Sequence, residues 1–384
     1  MRDVAPAAHL QCLRHPGQRH GRLRPQPACQ FYFLRVPFAT TLQVMLVPSQ
    51  AVQFLRDDAP GFRLTSFKAI RAIMVDCAAV LACGNRRGMF NSRMSCNIVG
   101  VGEILWDILP SGKQMGGAPA NFAFHARALG ARSRVISRVG HDPLGAEILQ
   151  RLQALGLPTT EIQIDPSAPT GTVSVELSAD GQPRFTIHED VAWDRLALEK
   201  TALAAVADTD AVAFGTLGQR REPARSTIQA LLAAVHPGAW RILDLNLRQH
   251  YFSREIITTS LRLSNIVKFN DSELPVLAES LGLRGSVREQ IEQLAQQHAQ
   301  RLVCLTRGAR GSLLYSEGRW ADDPGQPVAV KDTVGAGDAF TAALVLGVLA
   351  GKPLDAINRR ANQVARYICS CEGATPPLPE FPDP

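Results

Sequence analysis

Lys331-Asp-Thr-Val-Gly-Ala-Gly-Asp-Ala-Phe-Thr341 runs straight into an apolar stretch, Ala342 to Leu349. Gly335, Ala336 and Gly337 leave the backbone bare where the apolar pattern predicts a helix start. Their N–H groups and the positive end of the helix dipole are then free to face an anion. Asp338 stands at the same spot, and a carboxylate there repels a phosphate unless it has chemistry of its own. The chemistry consistent with phosphoryl transfer is to accept the proton of an attacking hydroxyl while amides and a metal neutralise the transferred group. Read without chemistry, the same aspartate only caps the helix.

Upstream of this stretch the chain alternates. Asn97 to Trp106 is a short apolar run with glycines, which suits a buried parallel strand leading into a loop. A helix over Ala118 to Leu129, a strand over Ser133 to Val139 and a helix over Leu144 to Leu155, ended by Gly156, follow it. The theme repeats at Ala211–Phe214, Arg225–Val235, Arg241–Asp244, Asn265–Phe269, Val287–Gln300, Leu302–Leu305 and Ala339–Leu349. The alternation predicts one doubly wound α/β domain, a mainly parallel sheet flanked by helices. Thr172–Ser178 and Gln182–His188 interrupt it. Both show near alternation and flank Ala179-Asp180-Gly181, a hairpin signal, so they predict a small antiparallel β lid.

Of 384 residues, 46% are hydrophobic and 20% charged, which excludes a disordered, collagen-like or disulfide-scaffold chain. The formal charge of +6 is unevenly placed: residues 1–95 carry a net +9 and residues 96–384 a net −3. A nucleic-acid partner needs a basic face on an ordered domain, so none is expected. The first 95 residues show no sustained period and carry scattered prolines, and they read as an unstructured leader. A start codon assigned too early, with Met89 or Met94 as the true start, accounts for this better than a targeting extension, because the segment is poor in serine before Ser92. Its most apolar stretch, Ala72 to Cys83, is too short to span a bilayer, so no membrane is expected. Cys304, Cys369 and Cys371 lack CxxC spacing and read as reduced thiols of a cytoplasmic protein.

The string Asp332-Thr-Val-Gly-Ala-Gly-Asp-Ala-Phe340 closely resembles the C-terminal signature of the ribokinase-like, phosphofructokinase B-type sugar kinases. The resemblance spans about residues 97 to 375 and implies a kinase domain over 96–375, with its lid at about 107–118 and 170–190 and a Pro-rich tail at 376–384. It makes Asp338 the general base and the amides of Gly335, Ala336, Gly337 and Asp338 the anion hole. Gly102-Glu-Ile-Leu-Trp-Asp107 is similar to the family's first-strand motif, whose aspartate, here Asp107, binds sugar hydroxyls. Gly116-Gly-Ala-Pro-Ala-Asn121 resembles the double-glycine motif, in which Gly116 and Gly117 hinge the lid and Asn121 contacts the sugar.

Asp244-Leu-Asn-Leu-Arg248 places polar groups at alternate positions, hence on one face of a strand end. By its likeness to the D-x-N-x-R stretch, Asn246 and Arg248 approach substrate and phosphate. Asn270-Asp-Ser-Glu273 resembles the N-x-x-E motif that organises Mg2+ and its waters, a chemically sensible pair of oxygen donors. Thr306, Gly308 and Gly311 match the T-x-G-x-x-G nucleotide loop, and Asn362 matches the asparagine near the adenine. The resemblance thus implies ATP and Mg2+, admits K+, and allows a homodimer paired through the lids.

Other nucleotide folds fail on spacing. Gly100-Val-Gly102 is followed by Leu105 where a dinucleotide fingerprint needs its third glycine, and no Walker A string exists. Gly102-Glu-Ile-Leu-Trp-Asp-Ile-Leu-Pro110 together with Gly116-Gly-Ala-Pro-Ala-Asn-Phe122 is most similar to fructokinases, which implies phosphorylation of D-fructose at O6. A 2-keto-3-deoxygluconate kinase is the alternative, and Arg248 is the cation its carboxylate would need. A catalytically silent, kinase-like regulatory protein is the non-enzymatic alternative, disfavoured because Asp338, the glycines, Asn270 and Glu273 all remain.

Overall fold

A single glycine divides the run that begins at Asn97. β1 (Asn97–Val101) is a buried central strand, and Gly102, at φ 145°, turns the chain so that β2 (Leu105–Leu109) joins a different sheet. The expected strand leading into a loop is β1, and the last residues of the run, Leu105 and Trp106, open the second sheet. Ile104 and Trp106 are apolar because they pack with Met115, Ala120 and Phe124 beneath the second sheet. The computed structural model describes residues 96–109, 112–177 and 183–381; the leader 1–95 and the Ala179-Asp180-Gly181 turn lie outside the described residues.

β3 (Gly112–Gly116) leads into α1 (Ala118–Ala128), then β4 (Arg132–Gly140), α2 (Pro143–Ala154) and β5 (Ile162–Asp165). β6 (Gly171–Leu177) and β7 (Pro183–Ile187) form the inserted pair, and α3 (Lys200–Ala207) returns the chain to the main layer. There follow β8 (Ala211–Gly215), α4 (Ala224–Ala234), β9 (Trp240–Asp244), α5 (Arg254–Leu263), β10 (Ile266–Asn270), α6 (Leu274–Leu281) and α7 (Val287–Gln297). β11 (Leu302–Thr306), β12 (Ser312–Ser316) and β13 (Arg319–Asp323) complete the sheet, and α8 (Ala336–Leu349) and α9 (Leu354–Cys369) follow.

The main sheet has the order β13-β12-β11-β10-β9-β8-β1-β4-β5, parallel except for the antiparallel edge strands β12 and β13. Its strands alternate between two buried faces. Val99, Val101, Val212 and Phe214 join the core under α4 to α7, whereas Ile98, Ala211 and Ala213 face α1, α8 and α9. The small alanines on that second face leave room for α8, which is buried from Ala339 to Val345 and packs against both α1 and α9. A helix enclosed in this way is apolar on all sides, as its sequence reads.

Order reverses at β1, whose neighbours β4 and β8 lie to either side, so the crevice for a ligand opens beyond the carboxyl ends of β1 and β8. The lid is a four-stranded sheet, β3-β2-β6-β7. β2 pairs antiparallel with β3 and β6 antiparallel with β7, while β2 and β6 run parallel with Trp106 opposite Thr172. The Pro-rich tail packs onto the domain: Leu378 and Phe381 lie against the second core, and Tyr367 donates its hydroxyl to the Pro377 carbonyl. No helix among the described residues is long and apolar enough to cross a membrane. Cys96, Cys304, Cys369 and Cys371 are free thiols.

Candidate active site

The site grows from the start of α8. Gly335 is its N-cap at φ 78°, a left-handed conformation that costs glycine nothing. A Cβ on Gly335 would overlap the Ala374 carbonyl and lie 2.9 Å from the Ala374 Cα. That carbonyl is itself fixed, because the buried His125 ring places Nε2 2.9 Å from it. Burial, only partly offset by this bond, lowers the His125 pKa to about 4, so the ring is neutral and Nε2–H donates. Gly337 is bare for a different reason: a Cβ there would come within 3.0 Å of Lys268 Nζ. In the first turn of α8 the Ala336 N–H donates to the Thr333 carbonyl at 3.3 Å, while the Gly337 and Asp338 N–H groups have no carbonyl one turn back among the described residues and are available to an anion.

Asp338 sits in this first turn and accepts a hydrogen bond from Asn121 Nδ2 at 2.9 Å. Desolvation and then the nearby Asp244 carboxylate push its pKa up to about 7, against the pull of Asn121, Lys268 and Arg248. A carboxyl balanced near neutrality beside the Gly337 and Asp338 amides can exchange a proton with a hydroxyl bound between them.

Asn121 reaches Asp338 because α1 starts at Gly117. That residue is at φ 111°, and a Cβ on it would stand 2.5 Å from the Glu103 carbonyl oxygen. The neighbouring Gly116 pairs across the lid with Leu105, and a Cβ on it would come within 2.5 Å of Asp107 Oδ2. Gly116, Gly117, Asp107 and Asn121 are thereby gathered where the lid meets the main sheet. Burial raises the Asp107 pKa to about 6, with Arg248 opposing. Arg248 is exposed, and its charge acts on Asp107, Glu103 and Asp338 together, which puts it at the mouth of the same site. Asn246, two residues before it, holds a positive φ of 40° at the end of β9.

Asn270 and Glu273 tie the end of β10 to this segment. Asn270 Oδ1 accepts from the Ser272 and Glu273 amides, while Glu273 Oε2 accepts from Asn270 N and Oε1 from Leu247 N at 2.7 Å. Each oxygen therefore already has a structural task. Among the described residues no cluster of three or more His, Cys, Asp or Glu could cage a metal. One amide and one carboxyl oxygen suit an ion that keeps most of its water, as magnesium does.

Thr306 ends β11, and Gly308 (φ 57°) and Gly311 (φ 73°) shape the turn into β12. Nothing crowds Gly308, whereas Gly311 lies against the Asp323–Gly325 backbone. Asn362 stands apart from the reacting groups. Its Nδ2 donates to Ser312 Oγ at 2.7 Å and to the Asn358 carbonyl at 3.0 Å, so its amide nitrogen holds α9 to β12.

Two side chains, Glu103 and Lys268, have no role in the sequence reading, and Asp244 figures there only as the start of the D-x-N-x-R stretch. Glu103 is 2% exposed; burial raises its pKa to about 7, the Ala118 N–H works against that rise, and among the described residues Oε2 has no hydrogen-bond partner. Lys268 and Asp244 form a buried ion pair at 3.0 Å. A lysine inside the apolar strand Ile-Val-Lys-Phe-Asn was the available signal.

A model described as pfkB family carbohydrate kinase matches residues 111–380. An uncharacterized sugar kinase from Pyrococcus horikoshii is 30% identical over 297 residues, covering 72% of this chain and 91% of the relative. Its crystal structure in complex with ATP superposes with a TM-score of 0.63 at 31% identity, over 72% of this chain and 94% of that one. A fructokinase of Escherichia coli is 31% identical over 266 residues, 66% of this chain and 85% of its own length. The crystal structure of fructokinase from Vibrio cholerae O395 with fructose, ADP and calcium ion bound matches with a TM-score of 0.62 at 26% identity, over 74% and 96% of the two chains.

Proposed function

This chain belongs to the pfkB family of carbohydrate kinases, and we propose that the phosphoryl transfer it performs is from ATP to O6 of D-fructose, with Asp338 as the general base. It is a phosphotransferase with a sugar acceptor. The observation that carries the finer reading is the Asn121–Asp338 hydrogen bond, which joins the sugar-side helix to the base at the mouth of the amide cradle. Asp107 and Asn121 orient the sugar so that one hydroxyl points at Asp338. Asp338 takes the proton of that hydroxyl as it attacks, and the amides of Gly335 to Asp338 hold the transferred group. Arg248 draws the phosphates to the site, and the lid strands close over the sugar to exclude water that would otherwise hydrolyse ATP.

Asn270 and Glu273 would hold magnesium through its waters, and magnesium bound there supplies positive charge to the phosphates. Thr306, Gly308 and Gly311 give a nucleotide a glycine-lined turn to lie on. The calcium-bound fructokinase structure supports a further ion in this chain as well. Exposed Ile108 and Phe185 on lid strands support pairing of two chains there, and the reduced thiols suit the cytoplasm.

Fructose is chosen because fructokinases of several organisms match most of the chain. The exposed Arg248 favours a second substrate, 2-keto-3-deoxygluconate, whose carboxylate it would bind. A steady-state panel of fructose, ribose and ketodeoxygluconate with ATP and Mg2+ separates them. The highest kcat/KM is expected for fructose, and a higher value for either of the others overturns the assignment. The same assay run against pH tests the base. Only the unprotonated carboxylate accepts a proton, so kcat/KM is expected to fall about tenfold per unit once the pH drops below about 7. A profile flat from pH 5 to 8 would remove Asp338 from that role.

A further inference from the structure

Lys268 on β10 and Asp244 on β9 are register partners in adjacent parallel strands, so their side chains leave the sheet on the same side. Both are 8% exposed. Lys268 Nζ donates to Asp244 Oδ1 at 3.1 Å and to Oδ2 at 3.0 Å. Asp244 Oδ2 is also reached by Thr341 Oγ1 at 3.2 Å, and the same hydroxyl lies 2.9 Å from the Gly337 carbonyl one turn back along α8.

This fixes the direction of the pair. Its ammonium end lies 3.0 Å from the position a Gly337 Cβ would take, directly behind the cradle, and its carboxylate end is bound to Thr341. The positive end thus points toward the amino terminus of α8, in the same sense as the helix dipole. A buried ion pair that served stability alone would be a poor investment, since apolar residues of equal volume usually do as well.

We propose that the buried Lys268–Asp244 pair, anchored to α8 by Thr341, is a positioning element of the phosphoryl site: it backs the Gly335–Asp338 cradle with positive charge and the Asp338 carboxylate with negative charge. This rests on reading that cradle as the site of phosphoryl transfer. The ammonium is held in place by both carboxylate oxygens of Asp244, at 3.1 and 3.0 Å. At Asp338 the Asp244 carboxylate outweighs Lys268, which keeps the base basic; Asn121, Arg248 and Glu103 are the other polar groups that act there. A side chain at 337 would stand in tight contact with this ammonium, 3.0 Å from Nζ already at Cβ.

The test separates charge from scaffolding. Lys268→Met leaves Asp244 buried without a partner, so it is expected to lower both the melting temperature and kcat. The double variant Lys268→Met/Asp244→Asn carries no unpaired buried charge, and its melting temperature should return close to wild type. Its kcat is expected to stay roughly 10- to 100-fold below wild type, with KM for fructose and MgATP changed by less than about threefold. A double variant with wild-type kcat, or one whose loss lies in KM, overturns the proposal. Wild-type enzyme inactive on every sugar would instead overturn the functional reading beneath it, and the pair would lose its role with it.

Discussion

Asp338→Asn is expected to lower kcat by roughly 10²–10⁴-fold while KM for sugar and ATP changes little. The substitution keeps the size of the side chain and an oxygen to accept the Asn121 amide, so the first turn of α8 and its amides should survive. Only the proton acceptor is removed. Stability provides an independent check with a defined sign. The Asp338 pKa is raised in the folded chain to about 7, from 3.8, chiefly by burial and then by Asp244. Between about pH 4 and 7 the folded state therefore holds a proton that the unfolded state has released, and stability from this group falls as pH rises through that window. Asp338→Asn should escape that loss and melt at or above the wild-type temperature at pH 8, while the two proteins converge toward pH 4. An activity loss accompanied by a lower melting temperature at pH 8 would indicate damage to the fold rather than loss of a base.

Gly335→Ala is expected to cost about 10²–10³-fold in kcat, the scale seen when a preorganised anion-hole donor is lost. Two effects act together. Alanine at φ 78° is strained by about 1 kcal/mol or more. Its Cβ must also displace the Ala374 carbonyl, which His125 holds from the buried side of α1. Either α8 starts later or the chain near Ala374 shifts, and in both cases the amides lose their aim. Gly351→Ala is the matched control. Gly351 follows the other end of α8 at φ 63° with nothing within 4 Å of its missing Cβ. It should therefore show the backbone cost in a thermal melt and keep normal kcat. Equal kcat values for the two variants would mean that the contact with Ala374 does not shape the cradle.

Much of this molecule could be read without coordinates. The signature around Asp338, the glycines at 116 and 117 and the strand–helix alternation are local features, because bare backbone and apolar period are properties of neighbouring residues. Less is legible where neighbours in sequence part company in space. Asn97 to Trp106 reads as a strand leading into a loop, but nothing apolar marks the turn at Gly102 that sends Leu105 and Trp106 into a different sheet. β5, α3, α5, α6 and the edge strands β12 and β13 went unassigned: they are short, and several carry polar residues on their exposed sides, which weakens the period. The proline-rich stretch from 376 reads as a tail, and sequence alone does not show that its Leu378 and Phe381 find apolar surface to cover.

The sequence by itself determined that a helix starts at bare glycines with an aspartate in its first turn, and that it sits on a doubly wound sheet. Only the tertiary structure decided what stands behind that helix start. Lys268 and Asp244 are 24 residues apart and meet because β9 and β10 are neighbours in register. Asn121 and Asp338 are 217 residues apart and meet because α1 packs on α8. Burial and the identity of the opposing charge set how strongly a carboxyl holds its proton, and neither quantity exists until distant strands are brought side by side.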